Sequence, residues 1–161
     1  MTAPGRPFHL VRRFFGTLRS RRPSPADQLW VGPVLSHDLA RLFWAQPAAD
    51  QAHGVSAARR AAEAAPGRDD LVRAALLHDV GKRHARLGVI GRSLASTMAI
   101  LRVPTRGRYA AYLDHGERGA ADLEAAGADP LTVAFARHHH GTRPDDIDPV
   151  DWALLVRADE E

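Results

Sequence analysis

The chain has 161 residues, enough for one domain with its own core and too few for two of ordinary size. An apolar share of 45 % and a charged share of 25 % are those of a globular protein, and the absence of cysteine excludes disulfides, thiolate metal sites and cysteine nucleophiles. The net charge of +3 hides an asymmetry: residues 1–23 carry six arginines and no acid, leaving 16 of the 22 basic side chains against all 19 acids, a net of −3. The pI of about 10.1 therefore belongs to the leading segment and argues for no stable nucleic-acid partner of the domain.

In chain order, residues 7–19 place Phe8, Val11, Phe15 and Leu18 at helical spacing among arginines, which predicts a short basic amphipathic helix. Its apolar stripe either packs on the domain or makes weak peripheral contact with a membrane surface or nucleic acid. Arg21-Arg22-Pro23-Ser24-Pro25 reads as a linker, so residues 1–25 form a leading segment and 26–161 the domain. Arg12-Arg13-Phe14-Phe15 has the paired arginines of an export signal. However, Arg19, Arg21 and Arg22 interrupt the apolar run that would have to follow, and no other stretch reaches membrane-spanning length. The expectation is a cytoplasmic protein.

Helices are predicted over 26–31, over 36–44 with Ser36 as N-cap, over 48–65 carrying His53, and over 69–79 with acids at its start. A basic, glycine-containing loop runs from Lys82 through Arg83, His84 and Arg86 to Arg92. Further helices follow over 93–101, 109–115, 117–126, 130–139 and 149–159, the last with Asp148 as N-cap and Pro149 at its first position. No alternating strand pattern is present. The expected fold is all-α, a compact single-domain helical bundle.

His78-Asp79 ends a run of apolar residues, where a polar pair is costly to bury unless a partner offsets its lost hydration. A metal would do so; a capped helix end is the plainer alternative. The expectation for Gly81 is that it frees the backbone so that both side chains converge. His139-His140 repeats the arrangement before Gly141, and His115 lies at a break between helices. His53 and Asp159 are ordinary helical residues when taken singly. Lys82 is the only lysine among 22 basic residues, a compact point charge suited to a phosphate oxygen. Imidazole and carboxylate together are donors for first-row divalent metals that activate water.

The succession of His53, His78-Asp79-Val80-Gly81-Lys82, His115, His139-His140 and Asp159 on consecutive helices resembles the HD-domain phosphohydrolase superfamily, over about residues 36–159. Within it, the pattern is similar to two-metal members that act as phosphodiesterases. The resemblance implies a fold of the HD-domain type. It also implies that His53, His78, Asp79 and Asp159 hold one metal, while Asp79, His115, His139 and His140 hold the other. The residues after the His-Asp pair lack the acids of the branch that hydrolyses guanosine tetraphosphate. Gly141-Thr142-Arg143-Pro144-Asp145 likewise departs from the HD-GYP pattern.

The activity so implied is metal-dependent hydrolysis of a phosphate ester, a nucleotide or cyclic-nucleotide phosphodiester, by hydroxide held between two divalent transition-metal ions. Asp79 would bridge the ions. Lys82 would stabilise charge on the phosphoryl group, with Arg92 extending the clamp. Histidine-rich ligation favours iron or manganese, with nickel, cobalt and zinc also compatible and magnesium less so. Two alternatives stand beside this reading. One is a single-metal nucleoside monophosphate phosphatase, and the other is a regulatory module that binds metal and nucleotide without turnover.

Overall fold

A computed structural model describes residues 22–101 and 103–160. The amphipathic helix expected over 7–19 lies outside the described residues. Ser24, expected in the linker, is instead the N-cap of the first helix: its hydroxyl accepts from the Asp27 amide and the Asp27 carboxylate accepts from the Ser24 amide, a reciprocal capping box. With Pro25 preset for the first turn, α1 (Pro25–Val31) starts there.

All regular structure among the described residues is helical. A 3₁₀ turn (Gly32–Val34) leads to α2 (His37–Trp44), then α3 (Ala48–Ala64) and α4 (Asp69–Leu77). A second 3₁₀ segment, Val80–His84, is followed by α5 (Val89–Ile100), α6 (Arg108–Leu113), α7 (His115–Ala125), α8 (Pro130–His138) and α9 (Pro149–Glu160). Ser36 and Asp148 cap α2 and α9 as expected. Asp129 caps α8 through the Thr132 amide and also holds Arg73 of α4 at 2.8 Å, tying two helices by one carboxylate.

The centre of the fold is α4. Leu71, Val72, Ala74, Ala75, Leu76 and Leu77 are all buried, because α3, α8 and α9 each pack against this helix. Phe43, Phe135, Leu123 and Leu155 complete the core around it. A helix apolar on nearly every side has to sit inside, and this one carries His78 and Asp79 into the interior at its C-terminal end.

One boundary differs from expectation by four residues: α5 begins at Val89 rather than 93, so Arg92 is helical and not in a loop. A glycine inside the first turn would argue against helix by propensity. Here Gly91 lies over the Leu87 side chain, and Arg92 reaches back to donate to the Leu87 carbonyl at 3.0 Å and to the Asp50 carboxylate. Tertiary contacts set the start of the helix. The 3₁₀ segment likewise replaces the first part of the expected loop, so Lys82 sits on regular backbone.

Candidate metal centre

Five helices and one 3₁₀ segment converge on Asp79. His78 and Asp79 leave the end of α4, Lys82 follows on the 3₁₀ segment, and His115 is the first residue of α7. His139 and His140 follow α8, His53 lies within α3 and Asp159 in the last full turn of α9. Arg60 donates to the Ala158 carbonyl at 2.8 Å and fixes that last turn against α3.

Gly81 enables the convergence, though not through backbone freedom. Its φ is not positive, which corrects the sequence expectation. A Cβ at Gly81 would fall 1.9 Å from the His115 carbonyl oxygen and 2.6 Å from the Gly119 nitrogen. Absence of a side chain lets the 3₁₀ segment touch α7 backbone to backbone, bringing His115 beside Asp79. Gly54 does the same between α3 and α4, where a Cβ would meet the Leu76 carbonyl at 2.8 Å, next to His53.

The ring centroids form one row: His53 to His78 at 5.3 Å, His78 to His139 at 5.0 Å and His139 to His115 at 5.4 Å, with His140 at 5.3 Å from His115. Asp159 Oδ1 lies 2.7 Å from His53 Nε2 and 3.2 Å from His78 Nε2. Asp79 Oδ2 lies 3.4 Å from His78 Nε2 and 2.5 Å from Lys82 Nζ. Asp79 Oδ1 faces the other way, 3.5 Å from both His115 Nε2 and His139 Nε2. One carboxylate thus looks at two sets of donors.

Each of the three buried imidazoles is oriented through its second nitrogen. Nδ1 of His78 donates to the Ala75 carbonyl at 2.9 Å, that of His115 to Tyr112 at 2.7 Å and that of His139 to Ala136 at 3.0 Å. A carbonyl only accepts, so Nδ1 carries the hydrogen, and in the neutral ring Nε2 is left with its lone pair turned to Asp79. This is the outer-shell arrangement that fixes the tautomer of a metal-ligating histidine.

Asp79 Oδ1, His115 Nε2 and His139 Nε2 are buried and have no hydrogen-bond partner. An acceptor oxygen facing two acceptor nitrogens is repulsive and costs desolvation with nothing in return. A cation at their common focus satisfies all three. Two groups of donors meet the spacing needed to hold a metal ion, His115 with His139 and His140, and His53 with His78 and Asp79, the atoms of each lying within 4.8 Å of one another. The residues present fit divalent metal.

Electrostatics agree with the geometry. Burial opposes charge on Asp79, yet Lys82 and His78 outweigh it and hold its pKa well below the usual carboxylate range. Burial likewise opposes ionisation of Asp159, and His78 and His53 overcome it, so this carboxyl is also depressed. Burial disfavours charge on His78, but Asp79 and Asp159 push its pKa up to about 10. The field that holds a proton on His78 would also favour a metal ion, whose binding there would displace that proton. Burial, then the neighbouring histidines, lower His140 to about 3, and burial chiefly lowers His139, so both offer free lone pairs. His140 and His53 are the more exposed donors and mark the opening.

Of the proposed phosphate-binding residues, Lys82 lies inside the site. Burial opposes its charge, and Asp79 more than compensates, raising its pKa. Arg92 is engaged elsewhere, held bidentate by Asp50 at 2.5 and 2.6 Å. Arg83 and His84 both bind Asp122 on α7, at 2.7 and 2.6 Å. Sequence reading missed Asp50. Its signal is there: a carboxylate among alanines one helical turn before His53, on a face that must be buried.

Compared with known proteins, the chain matches no family model, no curated protein and no solved structure.

Proposed function

We propose that the chain is a metal-dependent phosphohydrolase that cleaves a phosphate ester, a nucleotide or cyclic-nucleotide phosphodiester being the favoured substrate class. The observation that carries this reading is the buried triad of Asp79 Oδ1, His115 Nε2 and His139 Nε2, three acceptors with no donor among them. The order of ligands along the chain, which resembles that of HD-domain phosphohydrolases, supports it. Structural ion-pair networks also bury carboxylates, but they pair them with donors. A focus of acceptors calls for a cation.

His53, His78, Asp79 and Asp159 would hold one ion and Asp79, His115, His139 and His140 a second, Asp79 belonging to both sets. Bound there, divalent cations supply Lewis acidity and an acidified water at neutral pH. The protein groups do the rest. The Ala75, Tyr112 and Ala136 carbonyls aim the imidazoles, and the packed core of α4 excludes water from behind the ligands. Lys82, the only lysine, holds a charge beside Asp79 and would meet a phosphate oxygen of the substrate. Arg92 and Asp50 form a neutral pair that braces α5 against α3 beside that lysine. Nitrogen-rich ligation favours iron or manganese over magnesium.

The test is metal analysis of protein purified anaerobically without chelators, combined with hydrolysis assays over nucleoside monophosphates, linear dinucleotides, and cyclic mono- and dinucleotides. Two tightly held ions and phosphodiester turnover are the expected result. Turnover confined to monophosphates with a single ion would replace the phosphodiesterase reading by a phosphatase one. Tight nucleotide binding with intact metal and no turnover would make the chain a regulatory module.

A further inference from the structure

The segment between Asp79 and Asp114 is set apart by its charge. Residues 80–113 carry seven basic side chains and no acidic one. The remainder of residues 24–161 holds the other nine of 16 basic residues against 19 acids, a net of −10. Three of the seven, Lys82, Arg83 and Arg92, pair with Asp79, Asp122 and Asp50 of the rest of the domain, and Arg86, Arg106 and Arg108 carry the charge that faces solvent. The segment is also separate in packing: Ala85, Leu87 and Ala95, with Tyr109 and Tyr112 over them, form a small cluster of their own beside the main core.

On this lobe, α5 turns apolar groups outward. Ile90, Leu94 and Leu101 follow one another by four and seven residues, which places them along one helix face. They are 80, 47 and 67 % exposed. Ile100 and Val103, also exposed, widen the patch at the end of the helix. Arg86 before α5 and Arg106 after it are exposed as well. Contiguous outward aliphatic groups on a globular surface mark an interaction site.

We propose that the α5–α6 lobe is a docking surface for an anionic lipid bilayer. An apolar stripe flanked by arginines, with no acid in the segment, is the combination that seats in the headgroup region of a negatively charged membrane. Charge selects among the possible occupants. Residues 1–21 carry five arginines and no acid, so laying them on this lobe would bring like charges together. A second copy meeting the first through the same face would do the same. Nucleic acid would find cations, but the exposed side chains are aliphatic rather than the aromatic platforms on which bases stack. The lobe is tied to the metal centre at both ends, through Lys82 at its start and through the Tyr112 carbonyl that orients His115 at its close. Docking would hold that centre at a fixed height above the bilayer.

The test uses the full chain with extruded vesicles of phosphatidylcholine alone or mixed with phosphatidylglycerol, read by cosedimentation. Binding should require phosphatidylglycerol and weaken in high salt. The triple variant Ile90→Glu/Leu94→Glu/Leu101→Glu should lose at least about tenfold in partitioning, with wild-type helicity and metal content, since all three side chains face solvent. Should that variant fail to fold, Arg86→Glu/Arg106→Glu decides, with a similar loss expected. Binding by the variants equal to wild type would assign the contact to another surface, residues 1–21 included, and overturn the proposal. So would the absence of vesicle binding by the wild type, binding indifferent to lipid charge, or a concentration-dependent dimer that the triple variant dissolves.

Discussion

Gly81→Ala is the sharpest probe of how the centre is built. The added Cβ would lie 1.9 Å from the His115 carbonyl oxygen and 2.6 Å from the Gly119 nitrogen, where ordinary contact begins near 3.4 Å. The 3₁₀ segment and α7 must therefore separate by roughly 1.5 Å, and neither obstacle is a side chain that can rotate away. Overpacking of this kind costs about 1–3 kcal/mol, and a backbone clash belongs at the upper end. The separation also carries His115 Nε2 away from Asp79 Oδ1, now 3.5 Å apart. Displacement by about 1 Å is worth on the order of 10²-fold in rate when it misplaces a reacting group. Urea denaturation with metal analysis reads both effects. The expected result is a loss of about 3 kcal/mol, departure of the ion proposed at His115, His139 and His140, and retention of that proposed at His53, His78 and Asp159. Gly88→Ser is the control, since a side chain there meets nothing within 4 Å and adds a cap to α5, which should gain a few tenths of a kcal/mol. A Gly81→Ala protein with wild-type stability and full metal content would refute the close-approach argument.

Asp79→Ala should remove at least one ion and abolish turnover, whereas Lys82→Ala should keep the metal and lose about 10²–10³-fold in kcat; equal metal loss in both would end the division between ligand and charge stabiliser. Asp50→Ala leaves the guanidinium of Arg92 buried without its partner and should cost about 3–5 kcal/mol, while the double variant Asp50→Leu/Arg92→Met should cost less than that single one in a double-mutant cycle on denaturation midpoints. Arg59 and Ser24 hold Asp27 down to about 2 from 3.8, so its contribution to stability is complete above pH 3.8 and is lost as pH falls through 2. A carboxyl titration followed by NMR should give that value in the wild type and return towards 3.8 in Arg59→Ala.

Helices were readable wherever one face had a single periodic pattern. Ser36, Asp148 and Pro149 announce their helix ends because caps are local chemistry, satisfied by amides two or three residues away. The start of α5 was not readable, since Gly91 and a run of basic residues look like a loop until Asp50, 42 residues earlier, supplies the counter-charge for Arg92. Ser24 was misread for a related reason: prolines on both sides suggest a linker, and only the reach of Asp27 back to its amide shows a cap. Ligand order was legible as spacing, and its physical logic was not. Nothing local in the chain says that the carbonyls of Ala75, Tyr112 and Ala136 will orient three rings, or that Gly81 and Gly119 will meet.

The charges of the centre make their own argument for an anionic substrate. Asp79 and Asp159 contribute −2 and Lys82 +1, and the proton drawn onto His78 brings the cluster to neutrality. Arg92 and Asp50 beside it cancel each other. Exchange of the His78 proton for one divalent ion would leave +1, and a second ion would raise this to +3. A charge of that size, walled by Phe135, Val80 and the end of α4, is poorly served by protein alone and draws in an anion from solvent. With two ions the centre can hold a phosphodiester and a water-derived hydroxide together, −2 in all, and keep a net +1; with one ion a single negative charge already brings it to neutrality. Metal stoichiometry therefore sets how much negative charge the centre can hold. Inorganic phosphate should compete with substrate far more strongly in protein loaded with two ions than in protein carrying one, and equal inhibition of both forms would break that coupling.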